Sequence, residues 1–278
     1  MDEQGHPVGD PDAPRPALPR VRVFGLDFID ADSIDAVADE VLELAPVASD
    51  LRPSPIVVTP NVDQLVHVDR GTDAIASQVI RRATHVLPDG QPIVWASSLL
   101  GAPLSARLPG SSLVATMWPR LVERGQPVVV VASSPQIAAL AEAEGGHVRA
   151  IVAPQLSLAD RAGFDDFVDD TVELIRRSMP THVFVTLAFP KRCNVIDGID
   201  RRLRAGGDPV PVLLAIGASF DMYYGLVRRA PMWMQRAGLE WLFRFLQEPR
   251  RLFRRYFIDD PVFVRLVLQE WRARRRGS

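Results

Sequence analysis

Short β-branched runs that alternate with helix-patterned segments set the tightest limit on what this chain can fold into. The runs cover residues 21–26, 56–59, 84–87, 128–131, 148–152, 183–187 and 210–216. Helical patterns fall between them at residues 33–44, 61–68, 92–100, 135–144, 160–178 and 191–205. Strands this apolar need cover on both faces, and pairing them in parallel needs a crossover between one strand and the next. The pattern therefore specifies an α/β fold: a Rossmann-like, mostly parallel sheet covered by helices on both faces.

The ends of the chain read differently. Residues 1–20 carry Pro7, Pro11, Pro14, Pro16 and Pro19 among charged and small residues, a composition that cannot offset the entropy of ordering, so a disordered leader is expected. Residues 21–230 form the α/β body, large enough to bury a full core. Beyond it the pattern turns wholly helical, at residues 232–246, 250–257 and 261–274, with Pro231, Pro249 and Pro261 near the starts. This appendage, residues 231–278, is basic: from Arg244 to Arg276 there are ten arginines against four acids, in a chain whose net charge is only −2. Phe243, Phe245, Leu252, Phe253, Phe257, Phe263, Val267 and Trp271 recur between the arginines. Basic residues opposite an apolar face suit a membrane surface better than a plain solvated helix. A nucleic-acid surface is disfavoured, because the body is acidic to neutral and carries no known binding motif.

Other classes drop out on composition. No apolar run reaches the roughly 18–20 residues that span a bilayer, and the N-terminus lacks the order of a secretory signal, so a cytoplasmic protein is expected. One cysteine, Cys193, excludes an internal disulfide, and the five histidines have no zinc-ligand spacing. No cofactor or metal is expected.

In a sheet of this kind ligands bind beyond the carboxyl ends of the strands. The residues expected there are Thr59, Asn61, Asp89, Gly90, Ser133, Ser134, Phe189, Gly217 and Asp221. None belongs to a G-x-G-x-x-G or G-x-x-x-x-G-K-[ST] phosphate loop, which weakens dinucleotide and P-loop readings. Asp89 could serve as a general base; on spacing alone, an Asp-Gly turn that caps the next helix is the stronger reading. Thr59 and Asn61 are open to the same two readings, capping again the stronger. Asp30-Ala31-Asp32 has a metal-binding spelling but leads into a helix headed by Ser33, so capping is favoured over a metal. Cys193 at a helix start is read as a structural thiol.

Taken together, Thr59-Pro60-Asn61-Val62-Asp63, Leu87-Pro88-Asp89-Gly90, Gly101-Ala102-Pro103, Arg107-Leu108-Pro109-Gly110-Ser111 and the segment from Gly217 to Tyr256 resemble the WecG/TagA/CpsF glycosyltransferases, glycosyltransferase family 26. The resemblance spans residues 21–257 in the family's order. It implies an inverting transfer of an N-acetylmannosamine-, uronic acid- or glucose-type sugar from a UDP-linked donor to a sugar on a polyprenyl pyrophosphate, at the inner face of the plasma membrane and without a metal. It implies Asp89 as the base, with Thr59, Asn61, Gly90, Arg107, Gly217 and Asp221 around the substrates. Arg244, Arg251 and Arg254 match arginines that would meet the pyrophosphate charge. Homo-oligomers are expected, since an exposed apolar tail favours self-association.

Two stretches depart from the family's pattern. Its Gly-x-Pro-x-Gln-Glu reads Ala188-Phe189-Pro190-Lys191-Arg192-Cys193, and its Gly-Ser-Asp-Leu reads Gly110-Ser111-Ser112-Leu113. Either the donor or acceptor differs, or the chain is a nucleotide-sugar-binding or scaffold protein that has lost turnover.

Overall fold

The apolar runs separate into eight strands, which a computed structural model places in one sheet; it describes residues 17–51, 53–227, 231, 234 and 261–277. In chain order they are β1 (Arg20–Val23), β2 (Leu26–Ile29), β3 (Ile56–Val58), β4 (His85–Val86), β5 (Val128–Ala132), β6 (Val148–Val152), β7 (His182–Val185) and β8 (Val212–Ala215). Across the sheet the order is β1-β2-β4-β3-β8-β7-β5-β6. Only β1 runs antiparallel to its neighbour. The expected mostly parallel sheet is therefore present.

The first expected strand is in fact a hairpin. Phe24 and Gly25 both take left-handed backbone conformations, φ 54° and 69°, and a two-residue turn of that hand matches the twist of paired strands. A phenylalanine is costly there, by about 1–3 kcal/mol, and nothing in its chemistry signals a turn. Its ring is 8% exposed and lies 5.3 Å from that of Phe263, so tertiary packing holds the turn.

Parallel neighbours require helical crossovers, and these are α1 (Ile34–Leu42), α2 (Val62–Arg70), α3 (Ala74–Arg82), α4 (Gln91–Leu99), α5 (Gly110–Glu123), α6 (Pro135–Ala143), α7 (Arg161–Ser178), α8 (Lys191–Ala205) and α9 (Ser219–Tyr223). Strand residues feed two cores by turns: Ile56 and Val58 pack with α2, α3, α4, α7 and α8, while Val57 packs with α1, α5, α6 and α9. The same alternation recurs in β7, where Val183 and Val185 face one core and Phe184 the other. This period of two is what a strand buried on both sides must show. In the second core Trp118, Phe184 and Phe220 meet edge to face, with centroids 4.7 to 5.6 Å apart.

Charged groups concentrate at the amino ends of the strands. Asp200, fully buried, accepts from Arg82 at 2.7 Å, Arg204 at 2.8 Å and Ser54 at 2.6 Å. Asp197 takes the other fork of Arg82 at 2.9 Å. These bonds tie α3, α8 and the approach to β3 together at the end of the sheet away from the ligand side.

Of the three helices expected in the appendage, residues 232–246, apart from Met234, and 250–257 lie outside the described residues, as do 1–16 of the leader. The third is α10 (Pro261–Gly277). Its Phe263 and Val267 are buried against the body, and Arg274 donates to the Arg22 carbonyl at 2.7 Å. The apolar stripe of α10 is thus occupied by its own chain, which the sequence reading had offered to lipid. Val264 and Leu268, 60% and 46% exposed, remain on its outer side. No helix among the described residues is long and apolar enough to cross a membrane.

Candidate active site

Four strands that adjoin in the sheet, β4, β3, β8 and β7, end in four of the segments singled out by the sequence. Neighbouring strands lie about 4.8 Å apart, so these tips form a row about 14 Å long. Residues from 59 to 219 meet there only because the crossovers return each strand to the same end.

The β4 tip carries Asp89. Leu87 N–H donates to the Val58 carbonyl at 2.9 Å, Asp89 N–H to the Pro60 carbonyl at 3.1 Å, and Leu108 N–H to the Pro88 carbonyl at 2.9 Å. The main chain that bears the half-buried Asp89 is therefore held on both sides, by the β3 tip and by the α4–α5 loop. That loop brings in Arg107, also half-buried. Its course is pinned by Ser105 N–H donating to Asp30 at 2.7 Å and Leu104 N–H donating to the Ser97 hydroxyl at 3.0 Å. Asp30 thus anchors a loop and Ser33 caps α1 through Ala36 N–H, in keeping with the capping reading of that stretch. Among the described residues no three of His, Cys, Asp and Glu gather to hold a metal ion.

At the β3 tip, Thr59 is 3% exposed and Asn61 Oδ1 accepts from Gln64 N–H at 3.2 Å. Asn61 is the N-cap of α2, as its spacing predicted. Gly90 precedes α4 in extended backbone, φ 172°, so any residue could adopt its conformation. Gly217, after β8, has φ 55°, in the left-handed region that favours glycine. Asp221 is half-buried on α9; burial pushes its carboxyl above the ordinary value, opposed by a hydrogen bond from its own backbone N–H. Arg244, Arg251 and Arg254 lie outside the described residues.

Several residues join this row that sequence reasoning did not assign. Gly110, which opens α5, is so close to Thr59 and Ser219 that a β-carbon on it would stand 3.0 Å from Thr59 Oγ1 and 3.1 Å from Ser219 Oγ. Ser219 in turn donates to the Ile216 carbonyl at 2.6 Å. Arg192, 7% exposed, sits in the first turn of α8 with its guanidinium 5.8 Å from the Phe189 ring centroid. A β-carbon on Gly217 would meet Arg192 Nη1 at 2.8 Å. Cys193 next to it is 1% exposed, and burial pushes its thiol up to about 11. A neutral thiol at that value is no nucleophile, as its structural reading expected.

Helix starts set the electrostatics. Side chains cap α1, α2, α3, α6 and α7, through Ser33, Asn61, Asp73, Ser134 and Asp160. No side chain caps α4, α5, α8 or the five-residue α9, and these begin at the row of tips. Each presents the positive end of its dipole there.

The fold and the row of strand tips define the class: an α/β body whose ligand-facing edge carries the carboxylates of Asp89 and Asp221, buried hydroxyls and helix starts without side-chain caps. Comparison with known proteins narrows this: the chain belongs to the glycosyl transferase WecG/TagA/CpsF family, whose sequence profile matches residues 21–277. It is similar to an N-acetylglucosaminyldiphosphoundecaprenol N-acetyl-beta-D-mannosaminyltransferase of Bacillus spizizenii, 28% identical over 259 residues, 89% of this chain and 90% of that protein. A Staphylococcus aureus protein of the same name is 26% identical over 188 residues, 67% of this chain and 70% of the other.

Proposed function

We propose that the chain moves a sugar from a nucleoside diphosphate donor, UDP-linked, to a sugar carried on a polyprenyl diphosphate, with inversion at the anomeric carbon. The observation that carries this is Asp89: a half-buried aspartate whose main chain is tied to the β3 tip, in a chain whose relatives are named for glycosyl transfer onto a diphosphoundecaprenol-linked sugar. Asp89 takes the proton of the acceptor hydroxyl as its oxygen attacks the anomeric carbon, and the bond from that carbon to the diphosphate oxygen breaks on the opposite face. Attack from one face with departure from the other inverts the centre. Thr59, Asn61, Gly90, Arg107, Gly217 and Asp221 surround the two sugars.

Charge develops on the departing diphosphate, and fixed donors must meet it. The starts of α4, α5 and α8 supply backbone dipoles, and Arg244, Arg251 and Arg254 supply full charges from the appendage. A lipid-bound acceptor brings the enzyme to the inner membrane face as a peripheral protein. The arginines of α10 and its exposed Val264 and Leu268 suit such a surface.

Asp89→Asn keeps shape and removes the base. Transfer to an undecaprenyl-diphosphate-linked N-acetylglucosamine should fall by about 10²- to 10⁴-fold with donor affinity retained. Near-normal transfer by the variant would refute the assignment. Donor binding by the wild type without turnover on any lipid acceptor would instead mark a binding or scaffold protein.

A further inference from the structure

We infer that the cavity between α7 and the amino ends of β5 and β6 is an accessory binding site for a phosphate-bearing anion, held by Arg149, Arg177 and His147. It lies at the end of the sheet opposite the row of strand tips and is independent of the donor reading above.

Its place follows from the connections. β5 and β6 pair from Val128 and Val148 onward, and Val128 N–H donates to the His147 carbonyl at 3.2 Å. Pro127 and His147 therefore stand side by side just before the two strands begin. α7 leaves the carboxyl end of β6 and runs back along the sheet, so its last turns bring Leu174, Arg177 and Ser178 to the same end. Gly146 and Arg149 complete the walls of a cavity of about 490 Å³. Pockets that hold small ligands measure about 300–1,000 Å³ and combine apolar walls with a few polar groups. Pro127 and Leu174 are the apolar walls here.

Charge gives the sign of the ligand. The lining residues include two arginines and a histidine, and no acid is among them. Arg149 uses one nitrogen, Nη1, on the carbonyls of Gly146 and Val148, at 2.6 and 2.9 Å. Its Nε and Nη2 have no partner among the described residues. The guanidinium is thus oriented by the turn before β6 without its charge being met. Arg177 bonds through Nε alone, to the Glu173 carbonyl at 3.4 Å, with the Glu173 carboxylate also 3.4 Å away. Both side chains are exposed, so that pair contributes little. Arg176, one residue earlier, is by contrast closed by Asp208 at 2.8 Å. His147 Nε2 is buried with no hydrogen-bond partner among the described residues, so the ring is not committed to a bond within the fold.

Two guanidinium groups from different elements, each with free N–H donors, suit a group that offers several oxygens at once. A phosphate ester does so, and its organic part can lie against Pro127 and Leu174. A carboxylate would engage one fork and leave the other unmet.

Calorimetric titration of the full chain with inorganic diphosphate tests this, using the wild type, Arg149→Gln, Arg177→Gln and the double variant. Thermal melting checks that each is folded. Arg22→Gln is the control, since it removes the same charge from an exposed pair at the opposite edge of the sheet. One equivalent of diphosphate should bind the wild type about tenfold more tightly than either single variant and about a hundredfold more tightly than the double variant, with Arg22→Gln unchanged. Diphosphate held at the strand tips would appear as a second equivalent that every variant keeps. Unchanged affinity in the folded double variant, an equal loss with Arg22→Gln, or no binding by the wild type overturns the inference. Should Arg149→Gln not fold, Arg177→Gln decides, unchanged affinity again overturning it. Flotation with phosphatidylglycerol vesicles then fixes the source of the phosphate. Binding lost in the double variant assigns a lipid headgroup; binding kept by it, or absent from the wild type, assigns a soluble ester.

Discussion

Gly110 offers a direct test of whether the packing of the strand tips sets the site, because one methyl group there should disturb stability and turnover together. In Gly110→Ala the new carbon would lie 3.0 Å from Thr59 Oγ1, 3.2 Å from Thr59 Cγ2 and 3.1 Å from Ser219 Oγ. Ordinary contacts are about 3.5–4.0 Å, so each neighbour must retreat by about half an ångström. Neither can do so freely. Thr59 and Ser219 are 3% and 5% exposed, and the Ser219 hydroxyl is held by its 2.6 Å bond to Ile216. Overpacking of this kind costs about 1–3 kcal/mol, against which alanine regains up to about 1 kcal/mol of helix propensity. A net loss of about 1–2 kcal/mol follows, which lowers Tm by about 2–8 °C in a domain of this size. The start of α5 must shift by tenths of an ångström relative to Thr59. Since a 1 Å displacement can cost about 10²-fold in rate, turnover should fall by about tenfold. Melting curves, with transfer rates measured well below both transitions, check this. Unchanged Tm and unchanged rate would show that the tip yields and that its tight packing is irrelevant. A lower Tm with an unchanged rate would remove Thr59 and the α5 start from the site.

Two further predictions concern the frame behind the site. Burial pushes His85 and His182 below the ordinary value of 6.5, so the folded chain keeps them neutral at pH values where the unfolded chain takes up protons. Stability from this source is complete above about pH 6.5 and is lost as pH falls through the folded values; the urea midpoint should drop between pH 7 and 5.5, and His182→Gln should flatten that slope. An unaltered slope would remove His182 as a cause. Asp200→Asn leaves Arg82 and Arg204 facing each other without their shared carboxylate and should cost about 3–5 kcal/mol in urea unfolding, while the folded fraction keeps its transfer kinetics because the network lies at the far end of the sheet. A loss under 1 kcal/mol, or an altered kcat, would contradict this.

Much of the frame was legible because burial on two faces leaves a distinctive trace. β5, β6 and the helices after them fall within a residue or two of the expected limits, since short runs rich in valine and isoleucine flanked by Ser, Pro or Gly have few other readings. Where the signal was local and weak, the sequence was silent. α3 was not assigned, because a short segment ending in Arg81-Arg82 carries little periodicity; α5 was not assigned because Pro119 interrupts it. The Phe24-Gly25 turn could not be read, since its support comes from Phe263, far along the chain. Within the site, Asp89 and Gly217 were readable as residues following strands. Arg192 was noticed only as a departure from a pattern. Its place in the row of tips depends on Gly217 being its neighbour, and that contact joins β7 to β8 rather than any local run.

The docking of α10 on the first hairpin has a consequence for how the protein is made. Phe24 is synthesised long before Phe263, and Arg274 reaches back to the Arg22 carbonyl. Until the ribosome has released α10, the edge formed by β1 and β2 has no cover and its turn has lost its main support. A chain cut short after β8 would carry Asp89 and the whole row of strand tips, yet leave an aromatic side chain bare at the open edge of its sheet, marking it for aggregation or proteolysis.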